Sequence, residues 1–195
     1  ISGVFTNTCE VFDYETNNWR MISSVSEPRI ESSSIVINDS FLYLFFGINS
    51  DNTFLTTIER LNLSNIYENP WDSIVYKMSS KEICMERTNC GILKSDRNKI
   101  MILGGIDREK NSLNQVLEYD LQSNVFNLMP EFIIPISFDF NSNFVEYYNT
   151  LVSVDTNGNI WTFNTEIKKF FIKPKYIQSQ VRGKGFSIVR TKEFV

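Results

Sequence analysis

The run Lys99-Ile-Met-Ile-Leu-Gly-Gly105, followed by Leu117-Glu-Tyr-Asp120 and then Phe126, sets out the unit from which this chain is built. A short apolar run closed by glycine reads as a buried strand ending in a sharp bend, because glycine takes a positive φ with no Cβ in the way. The second segment ends on an acid, and an aromatic residue then opens another strand-like stretch. The same phrase is written earlier as Phe41-Leu-Tyr-Leu-Phe-Phe-Gly47 with Glu59-Arg-Leu-Asn62 and Trp71. Its closing half recurs as Glu10-Val-Phe-Asp13 with Trp19 and as Trp161-Thr-Phe-Asn164 with Phe170. The Asp or Asn anchors follow one another at 49, 58 and 44 residues.

A period near 50 residues made of short strands points to a β-propeller. Composition favours the same class. Of 195 residues, 14% are aromatic and none is alanine, a balance that suits pleated strands better than helices. With 42% hydrophobic and 22% charged residues the chain has the make-up of a folded domain. Its longest apolar run, Phe41 to Phe46, is far too short to span a bilayer, so no membrane partner is expected. The chain begins with Ile1, and no signal peptide is visible.

Several chemistries are excluded by what is missing. There is no histidine, so these residues supply neither a Ser-His-Asp or Cys-His pair nor a His-ligated metal. The three cysteines, Cys9, Cys84 and Cys90, are odd in number and form no C-x-x-C pair. Free thiols in an intracellular protein are the expectation, rather than a disulfide framework or a zinc site. No enzyme activity, cofactor or metal is expected.

Ahead of the two apolar runs stand Glu27-Pro-Arg29 and Glu86-Arg87. An arginine corner, an apolar strand closing on glycine, a variable loop, a strand ending near Tyr-Asp and a following aromatic residue together resemble the kelch repeat. Arg87, Gly104-Gly105, Tyr119-Asp120 and Phe126 match one register, Pro28-Arg29 and Gly47 the register before it, and Asp13 and Trp19 the end of an earlier one. The resemblance covers about residues 8–172. It is incomplete: Phe46 stands where the first glycine belongs, Phe126 replaces tryptophan, and the last copy has Ser153-Val-Asp155 in place of the glycine pair and lacks the arginine corner.

The resemblance implies an all-β, kelch-type β-propeller built of four-stranded antiparallel blades, innermost strand first. Residues 1–178 would hold about three to four blades of a larger wheel, since propellers close with about four to eight. Residues 179–195 would be a basic C-terminal tail or the start of a further strand. Strands are expected at 8–14 and 18–23; at 31–37, 41–46, 55–62 and 72–77; at 88–93, 99–103, 115–120 and 124–128; and at 143–147, 150–154, 159–164 and 168–173. The resemblance also implies that Arg29 and Arg87 turn inward to bond the backbone, which outweighs a reading of them as anion binders. Trp19 and Trp71 read as packing residues between neighbouring blades.

Other motifs carry less. Ser153 to Trp161 resembles an Asp-box but has extra residues, and its Asn157-Gly158 step reads as a hairpin turn. Val181-Arg-Gly-Lys-Gly-Phe186 completes neither a phosphate loop nor an RGG repeat, so nucleic acid is not an expected partner.

In a meander of this kind the corners 24–30, 79–87 and 129–137 share a face with the loops 48–54, 106–114 and 155–158. Arg29, Asn49, Asp51, Arg87, Asp107 and Arg108 then form a mixed-charge rim suited to a protein partner. Net charge is −4, divided between a body of −10 and a segment of +6 from residue 166 onward. The basic residues Lys168, Lys169, Lys173, Lys175, Arg182 and Lys184 would dock on an acidic surface. The expectation is a non-catalytic protein–protein interaction scaffold, cytoplasmic, within a larger assembly such as the cytoskeleton. Two alternatives stand beside it: the substrate-recognition propeller of a ubiquitin ligase adaptor, and part of a kelch-fold enzyme whose site lies in other blades.

Overall fold

Short runs of alternating or wholly apolar residues, separated by Asn, Asp, Ser and Gly, leave the chain little choice but strands and tight reversals. The computed structural model describes residues 5–132, 134, 145–147, 150–154, 159–164 and 169–173. Among these, everything regular is β except one 3-10 turn, Leu63–Asn65.

β1 (Cys9–Asp13) and β2 (Asn18–Ile22) form an antiparallel hairpin. β3 (Ser33–Ile37), β4 (Phe41–Phe45), β5 (Ile58–Asn62) and β6 (Trp71–Ile74) form a four-stranded antiparallel meander in chain order. Two-residue strands β7 (Lys77–Met78) and β8 (Arg87–Thr88) lead into β9 (Gly91–Asp96) and β10 (Lys99–Leu103). β11 (Ile106–Asp107), β12 (Val116–Asp120) and β13 (Val125–Leu128) follow. β9, β10, β12 and β13 make the second meander, which β7 extends by pairing in parallel with β13, while β8 pairs with β11. β14 (Val145–Tyr147), β15 (Thr150–Val154), β16 (Ile160–Asn164) and β17 (Lys169–Lys173) make the third. No sheet closes on itself among the described residues.

The expected strands overlap the observed ones, with three informative shifts. The stretch expected from 55 pairs in the sheet only from Ile58, because Leu55 donates to Gly47 O and Thr57 accepts from Phe46 N in closing the preceding loop. The stretch expected at 88–93 begins at Gly91: Thr88 pairs with Ile106, and Asn89 takes a positive φ of 53° that breaks the strand. The stretch expected at 72–77 ends at Ile74, since Lys77 leaves to bond Asn124 O on the next sheet.

Burial follows the period of two. In β10, Ile100 and Ile102 join Tyr43, Phe45, Ile58, Leu117, Tyr119 and Phe126 in a core between the first and second meanders. Met101 and Leu103 point the other way, into a core with Val116, with Phe132 beyond β13, and with Trp161 and Phe163 of the third meander. The central sheet is thus covered on both faces, which is why its strands read as continuous apolar runs. Trp71 is half-buried and donates from Nε1 to Ser23 O at 2.9 Å, whereas Trp19 stays 66% exposed on the outer strand of the hairpin.

The bend after β4 and β10 needs its glycine. Gly47 has φ +107° and Gly105 φ +106°, and a Cβ on either would sit 2.8 Å from a backbone oxygen, that of Ile30 or Thr88. Phe46 occupies φ +60° where Gly104 has +56°; its ring, 1% exposed, is held in the first core. Replacing Gly105 by Ala is expected to lower the unfolding free energy by about 1–3 kcal/mol through left-handed strain and the clash with Thr88. Urea titration measures this, and an unchanged midpoint would show that the backbone at Thr88 gives way freely.

Candidate functional site

Three of the anchors first seen as a repeated Asp or Asn are turn caps; the turn after the fourth, Asn164, lies outside the described residues. Asp13 Oδ1 accepts from the amides of Glu15 and Thr16, Asn62 Oδ1 from Ser64, and Asp120 Oδ1 from Gln122 and Ser123. A short side chain that bonds the backbone two residues on makes an Asx turn, so each anchor closes the hairpin beginning at the next residues. The Thr16 amide holds the Asp13 carboxyl below its ordinary range, helped by Glu15 and Arg20. For Asp120 the Ser123 amide and hydroxyl do the same, with the Gln122 amide and Lys99.

On the opposite ends of the strands the first and second meanders repeat one another at a spacing of 58 residues. Ile48 bridges Ile30 and Phe54, and Ile106 pairs with Thr88 and bridges Ser112. Asn49 Oδ1 accepts from the amides of Asp51 and Thr53; Asp107 Oδ1 accepts from Glu109 and Asn111. Asn52 and Lys110 both take positive φ at the loop tips, 57° and 66°. Beneath each loop lies an arginine. Arg29 Nη1 donates to Phe46 O at 3.1 Å, and Arg87 Nη1 donates to Gly104 O at 2.9 Å.

The two arginines are compensated differently. Arg29 pairs with Glu59, both side chains at most 3% exposed, and Glu59 also accepts from the Ser26 amide and hydroxyl at 2.8 Å each. Arg87 is wholly buried and meets neutral acceptors: Cys84 O, Gly104 O and Gln115 Oε1. Gln115 is oriented in turn by donating to Glu82 O at 2.7 Å. Burial pulls both guanidinium pKa values down, opposed at Arg29 by the Glu59 and Glu27 carboxylates. Burial also pushes the Cys90 thiol up to about 12, so it stays protonated at neutral pH.

Between the two loops runs an open groove of about 770 Å³. Ile48, Phe54 and Ile106 give it apolar surface, Thr88 and Asn89 line it, and Glu31, Asn52, Asp107, Arg108 and Lys110 supply polar groups. Asn89 ties its two sides together, donating from its amide to Glu31 O and from Nδ2 to Glu31 Oε2, each at 3.0 Å.

Of the residues expected on the rim, the structure brings Asp107 and Arg108 to this groove. Asp51 lies exposed in the first loop, and Asn49 is buried as that loop's organiser, its Nδ2 donating to Glu27 Oε1 at 2.7 Å. The guanidinium groups of Arg29 and Arg87 point inward, because each has carbonyl acceptors below the loop and no exposure above it. Sequence reasoning missed Ile48, Phe54, Ile106, Glu31 and Asn89, although the 58-residue offset already pairs Ile48 with Ile106 and Glu31 with Asn89. Of the basic end, Lys169 is exposed on β17 and Lys173 closes that strand; Lys168, Lys175, Arg182 and Lys184, with the whole 179–195 segment, lie outside the described residues. The turn at 155–158 and, of the corner at 129–137, residues 133 and 135–137 lie there too.

Among the described residues no three His, Cys, Asp or Glu side chains come together as a metal site. No helix is long and apolar enough to cross a membrane. No family model matches this sequence, and no curated protein matches it.

Arg29→Met or Glu59→Leu leaves a buried partner uncompensated and is expected to cost about 3–5 kcal/mol, with the double variant Arg29→Met/Glu59→Leu costing less than the sum of the singles. Denaturant titration of the four proteins gives the coupling, and strict additivity would refute it. The acid limb tests the caps. Carboxyls held low in the fold stabilise it above their unfolded value and lose that contribution as pH falls through the folded value. The Asp13→Asn/Asp120→Asn protein is therefore expected to show a flatter loss of stability below about pH 4 than the parent chain.

Proposed function

We propose that this chain is a non-catalytic protein-interaction scaffold of the kelch type, its meanders serving as blades of a β-propeller and its loop groove as the contact surface. The observation that carries the reading is the pair of loops at 48–54 and 106–114. Each is organised by an internal Asn or Asp, each stands over a buried arginine, and together they flank the groove. Loops fixed this firmly present side chains at low entropic cost, which favours recognition of a macromolecular surface.

Chemistry argues against catalysis at the same place. The groove offers no histidine or cysteine, its Asp107 carboxylate is occupied by three loop N–H groups, and its half-buried floor is aliphatic and aromatic. A mixed polar rim over an apolar floor is the anatomy of a protein contact.

The intact tagged protein, expressed in cells, is expected to retain a discrete partner in stoichiometric amount. Phe54→Asp is expected to release it while Arg97→Glu, in the turn at the other ends of the strands, retains it. Mass spectrometry of the captured material reads the result. Absence of a stoichiometric partner, or loss with Arg97→Glu but not Phe54→Asp, would overturn the reading.

A further inference from the structure

A tilted aromatic pair recurs at one cross-strand position. Phe12 and Trp19, Tyr119 and Phe126, and Phe163 and Phe170 face one another on neighbouring strands, their ring centroids 5.3, 4.6 and 4.7 Å apart. In the first meander Leu61 and Trp71 hold the same position. Tyr119 and Phe126 pack into the core shared with the first meander, and Phe163 and Phe170 into the core shared with the second. This side of each sheet is therefore the one that meets the preceding unit. Leu61 is wholly buried as well, and Trp71 bonds Ser23 O, the residue after β2. The hairpin departs from the pattern. Trp19 is 66% exposed, Met21 on the same face is exposed, and Tyr14, edge-on to the Phe12 ring, is 88% exposed.

The opposite side of each meander meets the following one. Ile58 and Val116, four residues before the anchors Asn62 and Asp120, are wholly buried there. At the matching place before Asn164, Ile160 is only half-buried. Phe171 shares its face, since it pairs across the sheet with Thr162 and strand side chains alternate. It is 49% exposed, where the earlier meanders carry the polar residues Asp72 and Asn127.

We infer that copies of this chain associate head to tail, the Phe12 and Trp19 side of one hairpin seated on the Ile160 and Phe171 side of another copy's third meander. Twice within the chain the surface that covers this aromatic pair is the far side of a meander, and the third meander turns such a side outward. A second copy thus supplies the same kind of surface that the repeat already uses. Exposed Trp and Phe side chains are the residue types that anchor protein contacts. The two surfaces differ, so the contact is heterologous, and each copy carries one half of it at either end. The loop groove takes no part, and the contact goes beyond the scaffold reading.

Sedimentation velocity of the intact chain across a dilution series tests this. The parent protein is expected to show a concentration-dependent mass of at least twice that of one chain. Trp19→Asp and Phe171→Asp are each expected to raise the dissociation constant about tenfold or more. An equimolar mixture of the two variants is expected to recover a pair, joined by the one contact in which both surfaces are native. Circular dichroism checks that each variant keeps the fold, and Trp19→Ser with Phe171→Ser repeats the test with smaller changes. A monomer at every concentration overturns the inference. So does association retained by either variant, which would place like surfaces against each other, or loss in both variants without recovery on mixing. Capture of a partner through Phe54 is read separately, so the scaffold reading survives each of these failures.

Discussion

An arginine guanidinium donating to the carbonyl that precedes a left-handed glycine holds each regular unit together. Arg29 reaches Phe46 O and Arg87 reaches Gly104 O, joining the corner before a sheet's first strand to the end of its second. Among the described residues the arginine is the donor to each of those carbonyls, which lie at the bend before Gly47 or Gly105 and outside the strand ladder. A buried carbonyl without a donor is costly, and a buried guanidinium without acceptors more so. Each group requires the other, and the loop above them inherits a fixed base.

From that base the rest follows by contact. The bend brings Ile48 back against Ile30 and Ile106 against Thr88, so the loops stand upright rather than folding over the sheet. Neighbouring meanders are then joined at several levels: Asn89 to Glu31, the Ser33 hydroxyl to Cys90 O at 2.8 Å, and the extended stretch after β6 along β13. The core between them is rich in rings. Phe45 meets Tyr119 edge-on, Tyr76 meets Phe126 at 5.1 Å, and Tyr119 leans on Phe126 at 4.6 Å. The groove is the seam these links leave open at one end of the strands.

Much of this was legible in advance, and the reasons are local. Five-residue apolar runs with glycine or Asn at their ends allow few conformations, so the strands and their order could be placed from the residues alone. The anchors at Asp13, Asn62 and Asp120 do what their chemistry suggests, capping turns two residues on. The rim was less legible. Arg29 and Arg87 were expected both to turn inward and to border the rim, and carbonyls supplied 17 residues later draw them in, so they leave the rim. Conversely, Ile48, Phe54 and Ile106 look like core residues in the sequence and form the half-buried floor of the groove.

What the sequence by itself determined is the repeating β unit, its hairpin caps and its two left-handed bends, because these depend on φ preference and on side chains that bond within a few residues. Which charges face a partner was decided only by the tertiary structure. Glu59 and Arg60 are adjacent in β5, yet Glu59 is 1% exposed against Arg29 while Arg60 lies over Phe41 and bonds Asp72 nearer the surface. The strand's alternation sends neighbouring side chains to opposite faces, and the sheet packed on each face sets whether a charge meets a buried partner or water.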